Sequence, residues 1–303
     1  MKLIYFSLLG IVLISCNSSE KKINVDESKH IGLTELEADL PYMVLYSDGQ
    51  LNDAKKQTIL IEKAYQFLSE IMGPKENFCL LVISKDDWER NAYLPISGMP
   101  QYYKGNLIIG AGQNSMADSY EEMIESLPGE MTKDLIEVYT NKMNELDMGL
   151  FFDKLSIHEL THSFQDPKNS EDFSMSRWLE EIHANMGLYA FYKTKKPSEL
   201  KYILGLMDFS LNNPPPDLQY TSLADFDVHY YELSPPDYGF YQMKFTKAAQ
   251  NIIESLGNDV LKPLNNFLIK YDETWRGKLN EEDLKKRLAI EVDPYFLEII
   301  ENW

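Results

Sequence analysis

Two apolar patterns alternate along the first third of the chain, and only one of them continues. Short runs at Tyr42-Met43-Val44-Leu45-Tyr46, Phe78-Cys79-Leu80-Leu81-Val82-Ile83 and Asn106-Leu107-Ile108-Ile109-Gly110-Ala111 have the length of buried strands. The turn signal Ser47-Asp48-Gly49 closes the first run. Between the first two, the stretch from Asn52 to Met72 carries Ile59, Leu60, Ala64, Phe67, Leu68 and Ile71 at helical spacing, and Gly73-Pro74 stops it. From about Met116 onward helical spacing takes over. It predicts helices over 117–126, 131–146, 150–165, 176–193, 198–210, 238–256, 259–271 and 281–289, with a short last one over 294–302. A proline-rich connection from Asn212 to Pro236 interrupts them, and no internal repeat is present. The order strand, helix, strand, strand predicts a small mixed sheet with a packed helix, followed by a mostly helical lobe. The fold class is α+β, with a sheet lobe over 36–115 and a helical lobe over 116–303 that together form one unit.

The extreme N-terminus follows neither pattern. Met1-Lys2 precedes an apolar run from Leu3 to Ile14 that is too short to span a bilayer as a helix. That is the layout of a signal peptide over 1–15. Its end, Leu13-Ile14-Ser15-Cys16, resembles the lipobox of bacterial lipoproteins. The resemblance implies that Cys16 is acylated and holds the protein on the cell envelope as a lipid anchor, facing outward. Residues 16–35, beginning Asn17-Ser18-Ser19-Glu20-Lys21-Lys22, read as a flexible tether in which His30 has no partner by spacing. Cys79, the other of the two cysteines, lies within an apolar run and reads as a core residue.

Composition narrows the partners. The 303 residues are 44% hydrophobic and 25% charged, as in a globular chain, and carry a net charge of -19. Such a surface repels phosphate backbones, so nucleic acid is not the expected partner. Two cysteines cannot form a disulfide framework.

The chemistry concentrates in His158-Glu159-Leu160-Thr161-His162, which holds two of only five histidines. Residues four apart lie one turn above each other on a helix, so two imidazoles can share one Zn²⁺ while Glu159 reaches a water activated by the ion. By chance the pattern would arise on the order of once in a hundred such chains. A third ligand is needed. The metzincin continuation is absent, because Gln165 and Lys168 stand where its glycine and histidine belong. Asp166, Asp172 and a glutamate on the following helix remain open; the last option includes Glu181, eighteen residues beyond His162.

His158-Glu159-x-x-His162 followed by Trp178-Leu179-x-Glu181-x-x-Ala184 resembles the zinc site of the gluzincin metallopeptidases. This superfamily includes thermolysin-like enzymes, membrane alanyl aminopeptidases and bacterial peptidase MA-like proteins. The resemblance implies a zincin-like fold, one Zn²⁺ held by His158, His162 and Glu181, and Glu159 as general base. It also implies that Asn185 orients the first histidine, at a position where thermolysin-like members carry an aspartate. On a helix that points Glu181 at the metal, Glu180 and His183 turn away by about 100° and 200°.

Related enzymes add a tyrosine or histidine that stabilises the developing oxyanion. Tyr241 and Tyr238 both fit, with Tyr241 slightly preferred by its distance to the helix-ending Gly257; packing is the competing role for each. For the substrate, Ile109, Gly110 and Ala111 form the candidate edge strand to which an extended peptide would add. Gly110-Ala111-Gly112-Gln113-Asn114 faintly resembles an exopeptidase signature, with Gln113 where that signature has glutamate. Together these readings predict an envelope-anchored zinc peptidase acting on a peptide or protein substrate. The alternative is a lipoprotein of the same fold that binds a partner without turnover.

Overall fold

In the computed structural model, which describes residues 25–75, 77–112, 114–166, 168–169, 176–275 and 278–303, the apolar run Cys79–Ile83 is the central strand of a five-stranded sheet. The strands are β1 (Thr34–Glu35), β2 (Met43–Tyr46), β3 (Cys79–Ile83), β4 (Gln101–Tyr103) and β5 (Asn106–Gly110), in the order β1-β2-β3-β5-β4. β2, β3 and β5 are parallel, and the two outer strands run antiparallel to their neighbours. A parallel pair needs a crossover, and α1 (Leu51–Met72) supplies the one between β2 and β3. Ile61, Ala64, Phe67 and Leu68 of α1 pack on the face formed by Val44, Leu80, Val82, Leu107 and Ile109. Leu45, Cys79, Leu81, Ile83 and Ile108 project from the other face onto Trp88 and Ala92. Burial on both faces explains why β3 reads as an unbroken apolar run. Cys79 is a core residue, as its neighbours suggest, and burial pushes its thiol up to about 12.

The remaining elements are helical. α2 (Trp88–Asn91), α3 (Ser115–Ser126), α4 (Gly129–Tyr139) and α5 (Gly149–Phe152) precede the pair that carries the site, α6 (Leu155–Gln165) and α7 (Arg177–Lys195). After them come α8 (Lys201–Asn212), α9 (Leu223–His229), α10 (Pro235–Leu256), α11 (Leu261–Trp275), α12 (Glu281–Glu291) and α13 (Tyr295–Glu301). The α+β class is therefore as read, and one core runs from α1 and the sheet into α6, α7, α10 and α11. Among the described residues, no helix is long and apolar enough to cross a membrane.

Three expectations change. β5 is not an edge strand: Ile109 is 2% exposed between β3 and β4, and the space beside Gly110 is filled by Gly98 Cα, 2.5 Å from where a Cβ would stand. The edge is β4, too short and too polar to register as an apolar run, and joined to β5 by Lys104-Gly105 at positive φ in a two-residue hairpin. Gln113 lies outside the described residues, and Ala111 follows β5 rather than flanking an open edge. Next, the part of the tether that is described is docked. Asp26 caps the turn Glu27–His30, His30 Nε2 meets Asn106 Oδ1 at 2.8 Å, and Asn91 Nδ2 donates to the carbonyls of Lys29 and Ile31. Polar contacts hold most of this segment, and its two apolar anchors, Val25 and Leu33, are too widely spaced to show as periodicity. The signal peptide and Cys16 fall outside the described residues. Third, the proline-rich connection contains a helix, α9, started by a reciprocal capping box between Ser222 and Asp225.

α6 and α7 pack closely at Gly187, where an added Cβ would lie 2.2 Å from Thr161 Oγ1. The contact joins the two helices that carry His158, His162 and Glu181. Gly187→Ala is expected to destabilise the protein by about 2–3 kcal/mol, an overpacking cost, as read from urea midpoints. Thr161→Ala added to it should recover part of the loss.

Candidate metal centre

α6 buries Ile157, Leu160 and Phe164 in the shared core, which turns His158 and His162 toward α7. Their ring centroids are 4.7 Å apart at 78°, and the two Nε2 atoms are separated by 3.0 Å. Glu181, on the first turns of α7, places Oε2 at 3.2 Å from His158 Nε2 and 3.7 Å from His162 Nε2. Zinc bonds of about 2.0–2.1 Å at tetrahedral angles set neighbouring ligand atoms about 3.3 Å apart. The three separations bracket that edge length, so the donor set fits one tetrahedral ion with a fourth position left for solvent or substrate. Glu159 also has a carboxylate oxygen near the two histidines: one ligand atom each from His158, Glu159 and His162 lie within 4.8 Å of one another. Glu159 Oε2 accepts from the Tyr102 backbone N–H at 2.8 Å.

Electrostatics divide the two carboxylates. Burial by itself would raise the Glu181 carboxyl, but the contacts with His158 and His162 outweigh it and hold the group well below its ordinary range. The same contacts, against the opposing effect of burial, raise His162 to about 10. Glu159 moves the other way: burial, with a contribution from Glu181, raises it above an ordinary glutamate although both histidines oppose the shift. A carboxylate raised by burial is a stronger base than an ordinary glutamate, the property a proton-transferring group needs.

Neighbouring side chains orient the set. Gln242 Nε2 donates to Glu181 Oε2 at 2.9 Å. Asn185 does not reach His158; its Nδ2 donates to the Glu181 backbone carbonyl and to Gln242 Oε1, and its Oδ1 accepts from Thr246. The amide thus supports Glu181 through Gln242, and among the described residues the buried Nδ1 of His158 has no hydrogen-bond partner. His162 Nδ1 meets Gln165 Oε1 at 2.9 Å. His183 is not a ligand, yet it is fully buried rather than at the surface, and burial lowers it to about 3.

The tyrosines separate clearly. Tyr241 is 1% exposed, stacks with Phe245 and Trp303, and donates to the Ser222 carbonyl at 2.7 Å, so it is a core residue facing away from the site. Tyr238 faces the site: burial and then the charge of Glu181 push its hydroxyl well above 10, with Tyr230 and Glu159 adding to the shift. Tyr230, unpredicted from sequence, is raised by burial and by the same two glutamates, and Arg177 stacks 4.3 Å from its ring centroid. Of the third-ligand alternatives, Asp166 does not join the cluster. Asp166 offers its backbone carbonyl to the buried Lys75 ammonium, and Asp172 lies outside the described residues.

Comparison of the chain with protein-family models, with curated proteins and with solved structures finds no match.

Proposed function

We propose that the protein is a zinc-dependent peptidase of gluzincin type with a zincin-like fold, hydrolysing peptide bonds in a peptide or protein substrate. The observation that carries this reading is the triangle of His158 Nε2, His162 Nε2 and Glu181 Oε2, with the raised carboxylate of Glu159 beside it. Zinc held by those three residues would polarise the scissile carbonyl and lower the pKa of a water. Glu159 takes the water's proton and returns it to the leaving amine. Tyr238 and Tyr230 are the hydroxyls that feel the charge of both glutamates, and one of them donates to the carbonyl oxygen as it gains charge. β4 is the strand to which an extended substrate adds. Its Tyr102 N–H points away from β5 and toward Glu159, so pairing along this edge brings a peptide bond alongside the base.

Two measurements on the full chain test the reading: zinc content after supplementation, and cleavage of a broad peptide library. Protein that takes up no zinc would remove the proposal. Zinc without cleavage would favour the binding-module alternative.

The lipobox-like Leu13-Ile14-Ser15-Cys16 supports envelope anchoring through lipid on Cys16. Expressed in a bacterium, the protein is expected to incorporate labelled palmitate, and Cys16→Ser to incorporate none; equal labelling of both would reject the anchor.

A further inference from the structure

We infer that Gln165 and His183 form a neutral hydrogen-bonded wire that keeps the proton of His162 on Nδ1 and so presents its Nε2 lone pair to the metal. The assignment starts from two backbone carbonyls, which can only accept. Leu261 O, at the start of α11, lies 3.2 Å from His183 Nε2, so that nitrogen carries a proton. In a neutral ring the other nitrogen, Nδ1, is then an acceptor, and Gln165 Nε2 stands 2.9 Å from it. The carbonyl of Glu180, 2.9 Å from the same Nε2, independently requires the amide nitrogen to face α7. Gln165 Oε1 therefore faces His162 Nδ1 at 2.9 Å and requires a donor there. Every polar atom of the wire is matched, Gln165 and His183 are both fully buried, and the wire joins α6, α7 and α11. His158 has no corresponding support, its buried Nδ1 being unpaired among the described residues. The pair of histidines is thus asymmetric: one is fixed by a wire and the other by packing.

Gln165 and His183 are positioning residues, and the consequence for metal affinity rests on the zinc-site reading. Fixing the tautomer of a ligating imidazole is expected to be worth 10- to 100-fold in affinity. Nitrogen-15 spectra of the metal-free full chain should show His183 protonated on Nε2 and bare on Nδ1; a proton on Nδ1 overturns the wire. In zinc competition with a chromophoric chelator, Gln165→Met should bind 10- to 100-fold more weakly than wild type. Gln165→Glu keeps an acceptor opposite His162 while losing both donations to α7. It should therefore retain near-wild-type affinity although its metal-free melting temperature falls as that of Gln165→Met does. Equal affinity losses in the two variants would make Gln165 a packing residue and overturn the inference, as would no loss in Gln165→Met. Absence of zinc from wild type would sink the metal reading alone, because the His183 spectra decide the wire without it.

Discussion

Glu159→Gln is expected to lower peptide hydrolysis by roughly three orders of magnitude while zinc content stays at the wild-type value. The size follows from the 10²–10⁴-fold range for removing a positioned general base, about 4 kcal/mol of transition-state stabilisation for three orders. The separation of the two readouts follows from geometry. Glu159 Oε2 is held by the Tyr102 N–H, and a glutamine oxygen can accept that same bond, so β4 and the fold are undisturbed. His158, His162 and Glu181 keep their triangle. Steady-state rates and metal analysis on the same sample decide the matter. If the variant keeps more than a tenth of the wild-type rate, Glu159 is not the base. If zinc is lost along with the rate, Glu159 rather than Glu181 is the third ligand, a role that its distance from the histidines would permit.

The residues that this experiment isolates were legible in the sequence, and the physical reason is local. Helical spacing alone puts His158 and His162 on one face, and an apolar stripe of Ile157, Leu160 and Phe164 fixes which face turns inward. Glu181 was legible only through the spacing of a family resemblance, since no local rule brings a second helix to the first. The two tyrosines could have been told apart by a rule already in hand. Tyr238, Gln242 and Thr246 recur every four residues as a polar stripe on α10, whereas Tyr241, Phe245 and Ala248 make the apolar one. The polar stripe is the one that meets Glu181 and Asn185. Gln165 and His183 left no such trace. A glutamine and a histidine at full burial look like surface residues until the carbonyls of Glu180 and Leu261 are placed beside them. β4 and the docked residues 25–35 were missed for a related reason. Backbone and amide hydrogen bonds do most of the holding, with only Val25 and Leu33 of the docked residues packing on the core. A reading built on apolar periodicity does not register hydrogen-bond satisfaction.

Glu181→Ala should weaken zinc binding by about a hundredfold at pH 10, and the gap to wild type should close as pH falls to about 8. The hundredfold figure takes the 10–16 kcal/mol of a four-ligand structural zinc site and assigns about 3 kcal/mol to one ligand. The narrowing comes from proton competition. In the metal-free protein Glu181 helps raise His162 to about 10, so below that pH zinc must displace a proton in wild type, and apparent affinity climbs by about tenfold per pH unit. Without the Glu181 carboxylate, that climb ends nearer the ordinary imidazole value of about 6.5. Stability of the metal-free protein must run the opposite way. A histidine whose folded pKa is raised contributes stability that is whole below about 6.5 and is lost as pH rises through 10. The depressed carboxyl of Glu181 contributes above about 4.3 and is lost as pH falls through its lowered folded value. The pair therefore stabilises the metal-free chain most between about pH 4.3 and 6.5, where its melting temperature should exceed that of Glu181→Ala by the widest margin. From there to pH 10 the melting gap closes while the affinity gap opens, because the same two side chains hold either a proton or the metal. Gaps that do not move with pH in either measurement would mean that zinc does not replace the His162 proton, and Glu181 would then lose its place in the centre.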